Sequence, residues 1–239
     1  LYGNTTFNGG TYTAGATTNV RGDWTFNTGS TYTTGTGTTN FTGTTNQTIN
    51  GTASSVTFNH VVVNKTAGTL FSTGGSIATL TTNNLTQTLG DITAPATLNI
   101  NGNFTLTAGT FTAGALVDLK GNISKAVAHI FTPGTGIFRF TGTGTQNING
   151  AATSITFYNM EVNKTAASVL QRAGNIVTIT AQDVTQNQGD FTAPPTFNIN
   201  GNFVLNDGTF GASTTINLYG NWTHASTVTA VFSPNTGTV

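Results

Sequence analysis

Apolar and polar residues alternate along much of this chain. TLNINGNFTL (97–106), VTFNHVVVN (56–64), IFRFTG (137–142) and TFNINGNFVL (196–205) all read with a period of two. That period places successive side chains on opposite faces of a β-strand. It predicts that Leu98, Ile100, Phe104 and Leu106 point inward. Between such pieces stand AGTFTAG, TGTGT and DGTFGAS, whose Gly, Asn and Ser residues supply turns. Almost no segment has the Ala, Leu, Glu, Lys and Arg mixture that sustains helices, so helix content near zero is expected.

Shifting the chain by 99 residues aligns it with itself. NGTASSVTFNHVVVNKTAG (50–68) lies over NGAATSITFYNMEVNKTAA (149–167), and residues 1–99 match 100–198 at 44 positions without a gap. A third copy starts at 199 and stops inside the unit at Val239. The expected organisation is therefore unit 1 at 1–99, unit 2 at 100–198 and a partial unit 3 at 199–239, a stretch that begins and ends in mid-protein. A shorter period runs inside each unit, marked by Leu1, Val20, Phe41, Val63, Leu80 and Ile100, with spacings of 19, 21, 22, 17 and 20 that then recur. Five coils of about 20 residues per unit, about twelve in all, point to an all-β parallel β-solenoid (β-helix), whose coils bury their apolar faces by stacking on one another. A β-sandwich of immunoglobulin type is the competing architecture. The inner period tells against it, because only stacked coils need like residues over like.

Composition sharpens this picture. Thr occurs 55 times and charged residues make 6 % of the chain, against about 25 % in an average soluble protein. Hydrophobic residues at 36 %, with sixteen Phe, supply the apolar surface that a disordered chain lacks. Net charge is 0, so nucleic acid and anionic membrane surfaces are disfavoured as partners. No cysteine is present, which removes disulfides, thiolate metal sites and thiol nucleophiles. No apolar run reaches the length of a transmembrane helix.

Carbohydrate-cleaving chemistry needs paired carboxylates, or a carboxylate with a cation, on one patch. The acidic residues are Asp23, Asp91, Asp118, Glu161, Asp183, Asp190 and Asp207. Asp91 and Asp190 share one repeat position in a G-D-[IF]-T-A-P turn, where capping of backbone N–H groups explains them. The others fall on unlike residues in sister units, so no acidic constellation recurs and no catalytic residue is assigned. His60, His129 and His224 occupy unrelated unit positions and are read as isolated surface or partly buried side chains. No metal or cofactor is expected. Lys65 and Lys164 share a V-N-K-T position and are read as solvated charges that guard an edge. Tyr2, Tyr12, Tyr32, Trp24 and Trp222 offer aromatic surface for sugars, with core packing favoured for the two Trp, whose unit position holds Ile123 in the sister copy. Ten N-x-[ST] sequons occur, at Asn4, Asn40, Asn46, Asn50, Asn64, Asn84, Asn103, Asn122, Asn163 and Asn221. Their abundance follows from the Asn and Thr content, so glycosylation is permitted rather than indicated.

Flat faces bearing T-x-T in every coil can order water. Thr11 and Thr13 are expected to stack over Thr31 and Thr33, but 20 residues further on, at 51–53, there is no T-x-T and the row is expected to stop.

At NLTQTLGD, FTGTGTQNINGAATSITFYNMEVNKTA and LNINGNFTLTAGTFTAG the chain resembles the Thr- and Asn-rich β-strand-repeat regions of large bacterial surface and secreted proteins. In coil length it is similar to filamentous-haemagglutinin and autotransporter-type β-helices. The resemblance implies an extracellular or cell-surface fibre, stalk or adhesin, with no catalytic motif to transfer. The implied partners are the next repeat or another copy, end to end, and a surface glycan or another cell. A carbohydrate- or ice-binding module on the same fold is the alternative.

Overall fold

A computed structural model describes residues 1–212, 214–226 and 229–234; the tail of the third repeat copy, 235–239, lies outside them. Every regular element among these residues is a β-strand. The fold is a parallel β-solenoid of about 11 turns with coils of about 21 residues. Two compact units divide the chain: Leu1–Val117 with Ala128–Thr132, and Asp118–Val127 with Pro133–Val239.

In the first unit the three strands of each coil go to three faces. One face stacks Thr5–Phe7, Trp24–Phe26, Gln47–Asn50, Leu70–Thr73, Asp91–Thr93, Gly109–Thr112 and His129–Thr132. A second stacks Thr17–Val20, Thr38–Phe41, His60–Asn64, Asn84–Leu89 and Phe104–Leu106. The third holds the pair Gly10–Thr13 and Ser30–Thr33 and, in a separate sheet, Ser55–Thr57, Thr79–Thr82 and Thr97–Ile100. The second unit repeats the plan. Its faces are built on Gln146–Asn149, Val169–Arg172 and Asp190–Thr192; on Ile137–Phe140, Asn159–Asn163, Asp183–Gln188 and Phe203–Leu205; and on Ser154–Thr156, Thr178–Ala181, Thr196–Ile199 and Thr215–Leu218.

Alternation decides what each strand buries. Leu98, Ile100, Phe104 and Leu106 are at most 2 % exposed, as their spacing predicts. Burying each such side chain contributes about 1.5–3 kcal/mol. Parallel in-register pairing then sets like over like: Phe7 stacks on Phe26 at 4.8 Å between centroids, Tyr12 on Tyr32 at 5.6 Å and Phe111 on Phe131 at 5.5 Å. Trp24 lies wholly in the core, whereas Trp222 is half-buried and Tyr2 and Tyr12 are exposed.

The coil and the repeat are not commensurate. A 99-residue step carries the chain from Thr5–Phe7, the first strand, to Phe104–Leu106, the fifteenth: fourteen strands, or four turns and two strands rather than five turns. Within the first unit these sister strands lie in different sheets, and within the second unit so do Ile123–Lys125 and Trp222–His224. The apolar marker series explains the difference. Val20 pairs with Phe41 and Phe41 with Val63, but Val63 pairs with Gln87, while Leu80 pairs with Val56 and Leu98 on another face. All three strands of a coil carry the same apolar pattern, so a marker series read along the chain switches face without showing it.

Asn and Asp tie coil to coil. In the first unit Asn4 Oδ1 accepts the Asp23 N–H, Asp23 Oδ1 the Thr48 N–H, and Asp91 Oδ1 the Thr110 N–H, each at 2.8 Å. In the second, Asp190 Oδ1 accepts the Thr209 N–H at 2.8 Å and Asn202 Oδ1 the Asn221 N–H at 3.0 Å. The capping expected for Asp91 and Asp190 is thus present, directed at the following coil rather than at their own turn.

Candidate functional site

One face of each unit carries a groove beside an irregular strand pair. Asn84–Leu89 slips register against His60–Asn64 between Gln87 and Leu89, and Asp183–Gln188 does so against Asn159–Asn163. Such a bulge bends its strand and raises the local twist. In the first unit a concavity of about 340 Å³ is lined by Thr38, His60, Val62, Asn84, Thr86 and Thr105, among others. In the second, one of about 190 Å³ is lined by Ile137, Asn159, Glu161, Asp183, Thr185 and Asn187. Thr38 and Ile137, His60 and Asn159, Val62 and Glu161, Asn84 and Asp183, and Thr86 and Thr185 are sister positions 99 residues apart. The groove is therefore a property of the repeat.

Its polar groups are largely engaged. Asn84 Nδ2 donates to His60 Nδ1 at 2.8 Å, and Asn84 Oδ1 accepts the Asn103 N–H at 2.7 Å. Asp183 Oδ1 accepts the Asn202 N–H at 2.7 Å, and Glu161 Oε1 accepts from Asn187 Nδ2 at 2.9 Å. The structure thus brings Glu161 and Asp183 to one groove, which the sequence reading did not foresee. Asp118 pairs instead with Arg139 at 2.7 Å and accepts the Thr141 hydroxyl. Among the described residues no three His, Asp or Glu side chains form a metal-binding group.

The two repeated lysines overturn their expectation. Lys65 and Lys164 are 2 % and 1 % exposed, not solvated. Lys65 Nζ donates to Gly43 O at 3.1 Å, Thr45 O at 2.8 Å and Gln47 Oε1 at 2.8 Å; Lys164 Nζ donates to Gly142 O at 2.8 Å and Gln146 Oε1 at 3.0 Å. Val63 and Val162 point inward, so two residues on, the same alternation turns each lysine inward at a corner where backbone carbonyls face the core. Burial lowers both amines from the usual 10.5 to about 8; at Lys65 the charge of Asp23 opposes the shift. The glutamines complete each corner: Gln47 Nε2 donates to Val20 O and Gly22 O, and Gln146 Nε2 to Leu119 O and Gly121 O.

His129 is likewise buried rather than superficial, with Nε2 2.9 Å from Gln87 Oε1. His60 lines the groove, and His224 Nε2 lies 3.0 Å from Ala230 O.

The first hydroxyl row runs and stops as expected, and further rows lie beyond it. Thr11 and Thr13 do pair with Thr31 and Thr33. The next row begins in a separate sheet at Ser55 and Thr57, which pair with Thr79 and Thr81. The second unit carries four such strands in register: Ser154, Thr178, Thr196 and Thr215 form one row, and Thr156, Thr180, Asn198 and Asn217 another.

Compared with known proteins, the chain stands apart. No protein-family model, curated protein or solved structure matches it.

Proposed function

We propose that this chain is a structural and adhesive segment of a bacterial extracellular fibre or surface stalk that performs no catalysis. The observation that carries this reading is where the polar side chains go. Asn, Asp, Gln and Lys side chains are directed at backbone groups of neighbouring coils, in column after column, rather than converging on a reacting centre. That arrangement resists separation of one coil from the next, the direction in which a tethered stalk is loaded. Continuation into further repeats, or end-to-end contact with another copy, would extend the same stacking, and a surface glycan or another cell is the proposed counterpart.

A carbohydrate- or ice-binding role on the same fold is the second reading. The sister grooves favour the first form and the four-strand Ser/Thr/Asn rows of the second unit the second. One series of measurements separates these readings: polysaccharide turnover, glycan retention and freezing-point hysteresis of the purified chain, beside antibody labelling of intact source cells. Surface labelling without turnover is expected. Turnover lost in Glu161→Ala or Asp183→Ala would overturn the structural reading, and glycan retention or hysteresis without turnover would favour the second.

A further inference from the structure

The ten sequons are chemically alike in sequence and unlike in the fold. Transfer of a sugar to asparagine requires that the side-chain amide reach a transferase active site. An amide already held by the protein, or packed along the next coil, does not meet that requirement. Asn4, Asn46 and Asn122 accept backbone N–H groups of Asp23, Leu70 and Asn147. Asn40 donates to Asn19, Asn50 accepts the Thr25 hydroxyl, and Asn84 is clamped between His60 and the Asn103 N–H. Asn103 is partnered as well. Asn221 is exposed, with its backbone N–H on Asn202 Oδ1 and its backbone C=O on the Phe203 N–H.

Asn64 and Asn163 differ from the seven partnered asparagines, and unlike Asn221 they recur at one position of the repeat. They are the sister residues of N-K-T, both are exposed, and no hydrogen bond to either side chain occurs among the described residues. Thr66 and Thr165, the third residues of the two sequons, are exposed as well. The buried lysine between them produces this. With Lys65 and Lys164 anchored to core carbonyls, alternation turns the flanking Asn and Thr outward. Each sequon also ends its strand and enters a tight turn, closed by the Thr69 N–H on Thr66 O and by the Ser168 N–H on Thr165 O, both at 3.1 Å. The same presentation arises twice, in separate units.

We propose that Asn64 and Asn163 are acceptor sites for N-linked sugar on the folded chain, presented alike in the two units. In the transfer, the asparagine Nδ2 attacks the anomeric carbon of a sugar activated as a nucleotide or lipid diphosphate ester. The N–C bond forms as the bond from that carbon to the diphosphate oxygen breaks. The diphosphate leaves, and the amide proton passes to a base of the transferase.

The test treats the folded chain with a soluble N-glycosyltransferase and UDP-glucose, and maps hexose by peptide mass spectrometry. The urea-unfolded chain, labelled after dilution of the urea, serves as the measure of each sequon's intrinsic reactivity. Hexose on the Asn64 and Asn163 peptides of the folded chain is expected, with none at Asn50 or Asn84 and complete loss from the corresponding peptide in Asn64→Gln or Asn163→Gln. Equal labelling of Asn50 or Asn84 in the folded chain would overturn the proposal. So would unlabelled Asn64 and Asn163 in a folded chain whose unfolded form is labelled there.

Discussion

A lysine inside a core with no carboxylate bonded to it keeps its charge largely through the dipoles around it. Lys65 has three carbonyl oxygens within 3.1 Å, which offset part of the desolvation but not all, and its amine falls to about 8. The consequence for stability has a definite sign. Below about pH 8 the amine is protonated in both folded and unfolded chains, and the burial penalty is fully present. Between about 8 and the ordinary lysine value of 10.5 the unfolded chain holds more protons than the folded one, so stability rises with pH. Urea midpoints measured from pH 7 to 10 should therefore climb in the parent. The slope should flatten in the Lys65→Met, Lys164→Met double variant, in which every tyrosine is retained as an internal reference. At pH 7 the single Lys65→Met change should also lower stability, by about 1–3 kcal/mol, because the carbonyls of Gly43, Thr45 and Gln47 lose a buried donor. A parent whose midpoint falls across that window would contradict the assignment.

At the scale of the element, the corner after the lysine depends on backbone conformation and on space, and the two can be separated. Gly68 has φ +76° and nothing within 4 Å of where a Cβ would be; Gly90 has φ +84°, and its Cβ would lie 2.7 Å from Lys65 Cβ. The second unit already shows that the first position tolerates alanine, since Ala167, the sister of Gly68, adopts φ 60°. Gly68→Ala should thus cost about 1 kcal/mol, the strain of a left-handed residue alone. Gly90→Ala should cost several times more, because the strand must also move off the buried lysine. Thermal denaturation of the two variants checks the order, and equal losses would remove the packing argument. Much of this element was legible in advance. The period of two placed Leu98, Ile100, Phe104 and Leu106 inward; Lys65 and Lys164 were read as solvated from their charge, although the same period turns them inward. The pattern prevails over the charge because the corner supplies oxygen acceptors that no sequence period displays. The groove was not legible, since its lining comes from strands about 24 residues apart: Asn159 pairs with Asp183 and Glu161 with Thr185. The assignment of strands to faces was hidden too, because coil length varies from 18 residues between Leu80 and Leu98 to 25 between Trp24 and Ile49.

For the molecule as a whole, the commensurability of coil and repeat decides which segment the fold can lose. Each strand pairs only with the strands of the coils before and after it, so stability accumulates coil by coil. A segment that closes one full turn should be removable, provided its two neighbours can meet in register. Residues 179–196 are such a segment. Their removal joins Thr178 to Phe197, and every face then finds a partner: Ile155 meets Phe197, Met160 meets Phe203 and Leu170 meets Phe210, each pair having shared one deleted neighbour. No buried lysine is separated from its carbonyls by the cut, since Lys164 is held by residues 142 and 146. Removing only residues 179–187 joins Thr178 to Gln188 and strands half a turn, so that the segments that follow arrive on the wrong faces. The 18-residue deletion should keep the β-sheet circular dichroism and a cooperative melt at a modestly lower temperature, whereas the nine-residue deletion should lose both. If the shorter deletion folds and the longer does not, the coil is not the unit on which this architecture is built.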